Sequence, residues 1–431
     1  AQGLVVAAYV VFGLVGVIAA IRAGSAITGS VAASSAVIAG LFALRRGVGL
    51  LTFVPVEEEH PSFEDPRDKI APRRGFLAYA SGMTLAAGAM GLGSRLVADQ
   101  GAEGMRRQVV IPRVRRTVTD RPPPTSTTEA PWTAPPSLTS WTTPNDRFYR
   151  IDTALVVPKI DPESWSLRIG GMVERAVELS LADLFAMNVV DSAVTLACVS
   201  NEVGGHLVGN AVWTGVPLVD VLELAGPTEP AEQVMAWSVD SFSAGFPLSA
   251  LGSDRTALVA FGMNGEPLPF RHGFPVRLVV AGLYGYVSAV KWLERIELTT
   301  MDVDGYWIPR GWAKEAPIKI ASRIDVPLQS QTTPGGQAVA GVAWAPVVGV
   351  AEVELAIDDG PWTPCRLERG TGPGRDGEAW VQWFTLWDAE PGLHHLRVRA
   401  WDRNGVLQPP GPKQIAPDGA EGYHTRRVLV A

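Results

Sequence analysis

One cysteine occupies a position that suits metal binding or nucleophilic chemistry. An apolar run rich in β-branched residues leads up to Cys198, and a polar turn with two glycines follows it over residues 199–205. This pattern predicts a strand that ends in a loop, with the sulfur where the two meet. A thiolate at such a point can ligate a soft metal ion or attack an electrophile. Free cysteines are also often small buried hydrophobes, so this residue alone leaves the structural interpretation open.

The composition indicates a membrane part joined to a globular part. Of the 431 residues, 47% are hydrophobic and 19% are charged, and the net charge is -7. The length predicts two or three domains, and the large apolar share is unusual for a purely globular chain. The negative net charge, without a basic surface interleaved with aromatic residues, argues against a nucleic-acid partner. The two cysteines cannot form a disulfide framework.

Three apolar stretches near the start of the chain are long enough to span a bilayer. They cover residues 3–21, 26–44 and 76–98. Together they predict a membrane anchor over residues 1–99. Arg45 and Arg46 close the second stretch, and the positive-inside rule places the loop that follows them in the cytoplasm. A buried soluble hairpin is the alternative for the first two stretches, but neither has a polar face.

An arginine pair stands just before the third apolar stretch. Arg73 and Arg74 are followed closely by Phe76 and Leu77, and the stretch itself is only mildly apolar. This arrangement resembles a twin-arginine export signal, although it is internal in the chain. Ordinary positive-inside charge is the alternative explanation of the pair. Export would place the globular part outside the cytoplasm, anchored at the cell membrane.

Residues 100–140 are rich in arginine and proline, which predicts a semi-extended linker. A solvated tether is the favoured interpretation. The basic side chains could also lie on an anionic membrane surface or on the domain that follows.

Further motifs occur in a fixed order from about Trp141 onward. They are Thr143-Pro-Asn-Asp-Arg-Phe148-Tyr149-Arg150, the Cys198 turn, Met263-Asn-Gly-Glu-Pro-Leu-Pro269, His272-Gly-Phe-Pro-Val-Arg277 and Val290-Lys291-Trp292. In this order they resemble the sulfite oxidase family of molybdopterin enzymes, and its membrane-anchored actinobacterial-type members in particular. The resemblance implies a mixed α+β fold, with a molybdopterin-binding catalytic domain over residues 141–314 and Mo-molybdopterin as cofactor.

The resemblance also implies roles for individual residues. The Cys198 thiolate would be the protein's ligand to molybdenum, beside the two dithiolene sulfurs of the pterin. His272 and Arg277 match the family's phosphate-binding pair, and Lys291 matches another cofactor contact. The remaining predicted cofactor contacts are Phe148, Tyr149, Arg150, Asp152, Asp240 and Ser288. Taken singly, most of these residues would be ordinary core or surface residues, and their joint order favours the cofactor.

The sequence departs from the family at the predicted substrate pocket. Sulfite oxidases proper carry arginines after the cysteine turn, where this chain has Asn201-Glu202-Val203. Phe242 stands at the substrate-side tyrosine position, and Asp152 stands at the position of a cofactor-loop histidine. Arg150 would supply one cation, so the predicted catalytic set is Cys198, Arg150 and Phe242. A pocket with Glu202 in place of arginine is expected to bind sulfite poorly.

The last part of the chain, residues 315–431, reads as short alternating strands separated by turns. The predicted strands cover residues 337–344, 351–357, 380–386 and 394–401. This pattern predicts an immunoglobulin-like β-sandwich, and the family resemblance implies that it forms a homodimer. Cys365 is expected in the core or at an edge. His394 and His395 are adjacent in a strand and face opposite sides, so no metal is assigned to them.

These observations predict a membrane-anchored molybdenum oxidoreductase whose catalytic domain lies outside the cytoplasm. It would transfer an oxygen atom to or from a small sulfur or nitrogen compound. The three apolar stretches contain no histidine to bind a haem, so a cytochrome or a quinone-linked carrier is expected to exchange the electrons. The alternatives are a sulfoxide-type reductase of the same family and a cofactor-free binding or assembly subunit with this fold.

Overall fold

The computed structural model describes residues 101–114, 116–117, 133–252 and 254–431. The three predicted membrane stretches and the arginine pair lie outside these residues. Within the described part of the chain, no helix has the length and hydropathy needed to cross a bilayer. Residues from Gly101 to Ala431 form one unit, and most of its regular structure is β-sheet.

Two sheets and three short helices build the N-terminal portion of this unit. The first sheet contains β1 (Arg116–Thr117), β4 (Val190–Ala197), β5 (Val208–Pro217), β8 (Ala257–Met263), β9 (Glu266–Pro267) and β10 (Arg277–Val280). The second sheet contains β2 (Ser166–Gly171), β3 (Val177–Ser180), β6 (Gln233–Ser238), β7 (Ser243–Pro247) and β11 (Leu293–Thr299). The helices are α1 (Leu181–Ala186), α2 (Leu218–Glu223) and α3 (Gly285–Ser288), and 3₁₀ turns cover Leu248–Leu251, Phe270–His272 and Ile308–Arg310.

The strand order is β1-β4-β5-β8-β10 in the first sheet, with β9 paired to β8, and β3-β2-β11-β6-β7 in the second. The first sheet is buried on both faces. Along β8, Leu258 and Ala260 belong to one core, whereas Val259 and Phe261 belong to the other. Because side chains alternate between the faces of a strand, such a strand reads as a continuous apolar run. The run that ends at Cys198 has this character and forms β4.

Two further sheets form residues 315–431, here called the terminal β unit. The third sheet contains β12 (Ala321–Val326), β14 (Gly335–Trp344), β17 (Arg366–Glu368) and β18 (Val381–Ala389), in the order β12-β14-β18-β17. The fourth contains β13 (Gln331–Thr332), β15 (Val350–Ile357), β16 (Thr363–Pro364), β19 (Gly392–Asp402) and β20 (His424–Val430), in the order β13-β20-β19-β15-β16.

The two sheets of the terminal β unit enclose one apolar core. Val339 and Trp383 come from the third sheet, and Val353, Leu396 and Val428 come from the fourth. The four predicted strands are present as β14, β15, β18 and β19. The immunoglobulin-like assignment and the homodimer stay predictions.

The terminal β unit is joined to the first sheet by hydrogen bonds. The backbone N–H of Thr195 on β4 donates to the carbonyl of Glu378 at 3.0 Å, and the Thr195 hydroxyl accepts from the N–H of Trp380 at 2.8 Å. The indoles of Trp141 and Trp380 each donate to the other residue's carbonyl, at 3.1 and 2.8 Å. Strand β4, which leads to Cys198, is therefore fixed from the side of the terminal β unit.

The start of the predicted linker differs from a solvated tether. Residues 101–108 are helical, and β1 pairs in parallel with β4. Arg106 is buried, and its guanidinium donates to the carbonyl of Pro267 at 2.7 Å and pairs with Glu103 at 2.6 Å. The arginine thus lies on the domain that follows, because its long side chain can reach a carbonyl that is distant in sequence.

Candidate functional site

The predicted junction of strand and turn is present at Cys198. Strand β4 ends at Ala197, and the N–H of Cys198 donates to the carbonyl of Leu207 at 2.9 Å. The carbonyl of Cys198 accepts from the N–H of Asn201 at 3.0 Å, and the Asn201 side chain accepts from the N–H of Leu207 at 2.8 Å. These bonds close the turn at its base, so the sulfur is presented at a defined position at the end of β4.

The Cys198 thiol is not prepared to act as a free nucleophile. Burial raises its pKa, and this effect outweighs hydrogen bonds from the backbone and hydroxyl of Ser200 and the positive charge of Lys291. A reactive cysteine needs a depressed pKa, whereas a coordinated metal ion removes the thiol proton by itself. The environment of Cys198 therefore suits a metal ligand better than a nucleophile.

The sulfur opens into a cleft of about 880 Å³, which includes open solvent at its mouth. Most of the predicted site residues share this cleft. Its lining includes Phe148, Tyr149, Asp152, Cys198, Asp240, Phe242, Arg277 and Lys291 from the predicted set. It also includes Ile151, Thr153, Val199, Ser200, Ser238, Gly285, Tyr286, Ala289, Trp292, Trp307 and Trp312. Strand ends of both N-terminal sheets and the helix α3 bring these residues together.

A buried arginine faces the cleft without an anionic partner. Arg277 is 3% exposed, and its guanidinium donates to the carbonyl of His272 at 3.0 Å and lies 4.9 Å from the centre of the Trp213 ring. Among the described residues no carboxylate pairs with it, and burial lowers its pKa to about 10. An uncompensated buried cation is costly, so this position favours a bound anion.

Lys291 supplies a second buried cation, and a carboxylate holds it in place. Its Nζ donates to Asp152 at 3.0 Å and to the carbonyl of Arg271 at 3.2 Å. Burial, together with the charge of Arg277, lowers the pKa of Lys291 to about 8, although Asp152 acts in the opposite direction. The side chains of Asp152 and Lys291 are 8% and 10% exposed, so this ion pair is largely removed from water. We name Arg277, Lys291 and Asp152 the cationic wall of the cleft.

Arg150 lies outside the cleft lining. It is exposed, and its Nε donates to Asp152 at 2.8 Å. Burial raises the pKa of Asp152, but the hydrogen bonds from Arg150 and the charge of Lys291 outweigh burial, so the pKa stays below its usual value. Asp152 therefore bridges the two cations as an ionised carboxylate. In this geometry Arg150 supports the cationic wall from outside the cleft lining, through Asp152.

His272 is fully buried behind Phe148 and does not line the cleft. Its Nε2 donates to the carbonyl of Asn145 at 2.8 Å, and its ring meets the Phe148 ring edge to face at 5.6 Å. Burial lowers its pKa to about 3, so the imidazole is neutral near pH 7. Its Nδ1 is buried and has no partner among the described residues. A phosphate beside this atom would raise the pKa of His272 by stabilising the imidazolium.

Ser288 also points away from the cleft. Its hydroxyl donates to the carbonyls of Leu283 and Tyr284 at 3.2 and 3.1 Å, which is typical of a buried hydroxyl at the end of a short helix. Asp240, in contrast, lines the cleft and accepts from the Thr153 hydroxyl at 3.1 Å. This bond ties the loop after Tyr149 to the loop between β6 and β7.

Phe242 lines the cleft together with aromatic residues that were not predicted for the site. Phe242 contacts Tyr306 at 5.9 Å between ring centres, Tyr306 contacts Trp307 at 5.2 Å, and Trp307 contacts Trp312 at 6.4 Å. Tyr286 completes the row at 5.8 Å from Trp312. We name the lining members Phe242, Tyr286, Trp307 and Trp312 the aromatic wall. In the sequence, the high share of aromatic residues within 305–312 could have indicated part of this wall.

Glu202, which was predicted to lie in the substrate pocket, does not line the cleft that contains Cys198. Its side chain is exposed, and the residue lines a separate small cavity behind the turn, together with Lys319 and Glu421. The turn reverses direction after Ser200, so the side chains that follow face the terminal β unit. Ser200, which hydrogen-bonds the sulfur, was missed because a serine in a turn carries no distinctive signal.

The comparisons with known proteins agree with this geometry. A sequence model of the oxidoreductase molybdopterin binding domain matches residues 154–307. Mitochondrial sulfite oxidase of Homo sapiens is 29% identical over 323 residues, which cover 64% of this chain and 59% of that protein. The nitrate reductase [NAD(P)H] of Hordeum vulgare is 28% identical over 314 residues, which cover 59% of this chain and 35% of that protein. The chain thus spans less than two thirds of the length of either relative.

A solved structure shows the same fold. The crystal structure of the sulfane dehydrogenase SoxCD from Paracoccus pantotrophus matches with a TM-score of 0.58 and 22% identity, over 68% of this chain and 85% of its own. The family match and the relatives show a molybdopterin-binding oxidoreductase domain with Mo-molybdopterin as its cofactor. The chain is similar to sulfite oxidases over this domain and beyond it.

The residues in the cleft fit this cofactor. Molybdenum needs a soft protein ligand, and Cys198 supplies one sulfur at the inner end of the cleft. The phosphate of the pterin needs cations, and Arg277 and Lys291 supply two that are already desolvated. The partnerless Nδ1 of His272 is a further buried polar atom close to these cations.

Proposed function

We propose that this protein transfers an oxygen atom to or from a small sulfur or nitrogen compound. One observation carries the proposal: the Cys198 sulfur and two buried cations, Arg277 and Lys291, line the same cleft of a molybdopterin-binding domain. When bound, Mo-molybdopterin supplies the two-electron change that accompanies oxygen-atom transfer. The relatives are named for sulfite and nitrate, which supports a small oxo compound as the substrate class.

The protein's own residues hold, orient and shield the reacting groups. Cys198 would be the protein's ligand to the metal, while Arg277 and Lys291 would hold the phosphate of the pterin. Asp152 keeps Lys291 charged and fixed by an ion pair of 3.0 Å. The aromatic wall adds apolar surface to the cleft, which excludes water and can receive an apolar substituent of the substrate.

Metal analysis and one substitution test this proposal. Purified protein from a host that makes the cofactor is expected to contain about one molybdenum per chain. Cys198→Ala is expected to lower turnover by about a thousand-fold or more, because the protein's only ligand to the metal is lost. Cys365→Ala is the matched control, since Cys365 is buried in the terminal β unit. Turnover of Cys198→Ala near the wild-type rate would contradict the ligand assignment.

A sulfoxide-type reductase is the second candidate, and the composition of the cleft favours it. Within the described part of the chain, the cleft lining holds no cation besides Arg277 and Lys291, and both fit the cofactor phosphate. The rest of the lining is aromatic, apolar, hydroxyl-bearing or acidic and adds no positive charge, which suits a neutral substrate better than an anion. The test compares kcat/KM for viologen-dependent reduction of dimethyl sulfoxide with kcat/KM for ferricyanide-dependent oxidation of sulfite. A higher value for sulfite removes this candidate.

We further propose that the protein is anchored in the cell membrane, that its catalytic domain faces outward, and that a cytochrome or a quinone-linked carrier is its electron partner. The three apolar stretches and the arginine pair support this arrangement. Changing Arg73 and Arg74 to lysine keeps the charge but is expected to hold the domain in the cytoplasm. Protease added to spheroplasts should then digest the wild-type domain and spare the variant. Digestion of both the wild-type domain and the variant would mean that the two arginines act only as a topology signal.

A further inference from the structure

The turn that presents Cys198 rests on the terminal β unit at its far end. The turn is closed at its base by Leu207 and Asn201, but its last residues are Gly204 and Gly205. Glycine has few conformational restrictions, so two consecutive glycines do not fix a turn by themselves. Contacts from outside the turn must therefore contribute to its conformation.

Arg323 supplies the first of these contacts. It lies on β12, is 3% exposed, and its Nη1 donates to the carbonyl of Gly205 at 2.8 Å. Its Nε donates to Asp325 on the same strand at 2.6 Å, and its Nη2 donates to the Thr139 hydroxyl at 2.9 Å. Two partners outside the turn, Asp325 and Thr139, therefore fix the guanidinium that donates to Gly205. A buried hydrogen bond from such a charged donor is strong and directional.

His424 supplies the second contact. It is the first residue of β20, and its Nδ1 accepts from the N–H of Ile324 at 2.9 Å, which fixes the plane of the ring. A Cβ placed on Gly204 would lie 2.5 Å from Cδ2 and Nε2 of this imidazole. Gly204 also has φ +76°, a conformation that glycine adopts readily. The ring thus packs directly on the backbone of the turn.

We propose that Arg323 and His424 are positioning residues of the metal site. They hold the Cys198–Gly205 turn in the conformation that directs the sulfur into the cleft. The proposal rests on the proposed function, since it takes Cys198 as the metal ligand. It gives the terminal β unit a part in the metal site that is separate from the predicted dimerisation.

The contacts can be tested without the cofactor, because they do not involve it. In a Cys365→Ser background Cys198 is the one thiol of the chain. Because Cys198 is half-buried, the rate at which N-ethylmaleimide labels it in cofactor-free protein then reports how firmly the turn holds the sulfur. His424→Asn keeps an acceptor for the N–H of Ile324 but removes the part of the ring that packs on Gly204. Arg323→Lys keeps a positive charge beside Asp325 but cannot make the same set of hydrogen bonds.

Each variant is expected to raise the labelling rate about 5- to 20-fold, as a loosened local segment opens more often. Arg399→Lys is the matched control, since Arg399 pairs with Glu354 at 2.8 Å on β19 and β15 and does not contact the turn. Its labelling rate should stay within about two-fold of the background, because the change lies in the fourth sheet and away from the turn. Equal unfolding midpoints among the variants show that the fold is intact.

Molybdenum-loaded protein gives the second measurement. Both variants are expected to retain molybdenum, but the electron paramagnetic resonance spectrum of their Mo(V) state should broaden or shift, because the orientation of the coordinated sulfur varies. An unchanged labelling rate in both variants overturns the positioning role, whatever the metal content. An absence of molybdenum from the wild-type protein would instead overturn the proposed function, while the labelling result would still decide whether the two residues hold the turn.

Discussion

The cationic wall and the aromatic wall face the same cleft, and they differ in the kind of ligand that each can hold. Arg277 and Lys291 are desolvated cations whose charges exceed the single carboxylate of Asp152. Phe242, Tyr286, Trp307 and Trp312 present ring surface without a charge. A charged group left partly unpaired in a buried site favours one ligand of opposite charge, whereas aromatic surface accepts many apolar shapes. Under the proposed function, the cationic wall would hold the cofactor and the aromatic wall would contact the substrate.

Replacing Arg277 tests the cationic wall and is expected to have the largest effect. Arg277→Met removes one buried cation, so retention of the cofactor should fall about 100- to 1,000-fold, as for a buried charged contact. The cofactor-free protein should unfold at the same or a higher denaturant concentration, because a costly unpaired charge is gone. Molybdenum content after gel filtration and urea unfolding measure the two effects. A loss of stability without loss of cofactor would assign Arg277 a purely structural role.

Acid should destabilise the fold through His272, which is buried next to the cationic wall. Its pKa in the folded protein is about 3, below the ordinary 6.5, because of burial. As the pH falls, the unfolded chain binds a proton at His272 at a higher pH than the folded chain does. The contribution of neutral His272 to the free energy of unfolding is therefore complete above pH 6.5 and is lost as the pH falls toward 3. The free energy of unfolding should fall by on the order of 2–4 kcal/mol, since one pKa unit corresponds to 1.36 kcal/mol and the full difference is discounted in part for solvent screening.

The variant His272→Asn isolates this effect from other acid-sensitive groups. Urea unfolding of cofactor-free wild type and variant is compared at pH 7 and pH 4.5, and the wild type should lose more stability between the two. Bound phosphate on the cofactor would raise the pKa of His272, so the loaded wild type should lose less. Equal losses in wild type and variant would mean that His272 is already charged or exposed.

The aromatic wall should respond through substrate affinity and not through the cofactor. Trp312→Ala removes a ring that packs between Trp307 and Tyr286 and lines the cleft. The KM for an apolar sulfoxide should rise about 5- to 30-fold, from the loss of roughly 1–2 kcal/mol of aromatic contact. Molybdenum content should stay at the wild-type value, and Trp312→Phe should recover most of the affinity. Equal losses for the sulfoxide and for sulfite would show that this wall does not select the substrate.

The two walls also differ in how far the sequence predicts them. The strand before Cys198 is a local apolar run, and Arg277 and Lys291 sit in short motifs, so their order along the chain points to the cofactor. The aromatic wall depends on contacts that are distant in sequence. Two hydrogen bonds fix the loop that carries Trp307 and Trp312. The N–H of Tyr306 donates to the carbonyl of Ser243, and the N–H of Ala313 donates to the carbonyl of Pro417. No spacing in the sequence specifies such contacts.

The direction in which a side chain points is another property that the spacing of residues in the sequence does not encode. His272 and Ser288 are correctly placed in the chain near the cofactor motifs, yet Ser288 turns its hydroxyl toward helix carbonyls and His272 turns its ring behind Phe148. Arg106 in the predicted tether donates to the carbonyl of Pro267, which lies close to it only in the folded chain. The element and its position follow from local sequence, whereas the direction of a side chain follows from what the tertiary fold leaves open.

Glu202 gives the smallest expected effect and a direct test of this point. Its position after Cys198 predicts repulsion of an anionic substrate, but the side chain is exposed behind the turn and does not line the cleft. Charges that are separated by solvent are screened within about 10 Å at ordinary salt. Glu202→Gln should therefore change the KM for sulfite less than about two-fold, with a free-energy effect below roughly 0.5 kcal/mol.

Asp240→Asn is the matched comparison, because Asp240 is a carboxylate that does line the cleft. It should lower the KM for sulfite more than Glu202→Gln does, since its charge acts through less solvent. The measurement is sulfite-dependent reduction of ferricyanide at two salt concentrations, with the molybdenum content of each preparation as the reference. A several-fold fall in KM for Glu202→Gln that disappears at high salt would return Glu202 to the substrate pocket. The turn would then have to reverse its direction when the cofactor is bound.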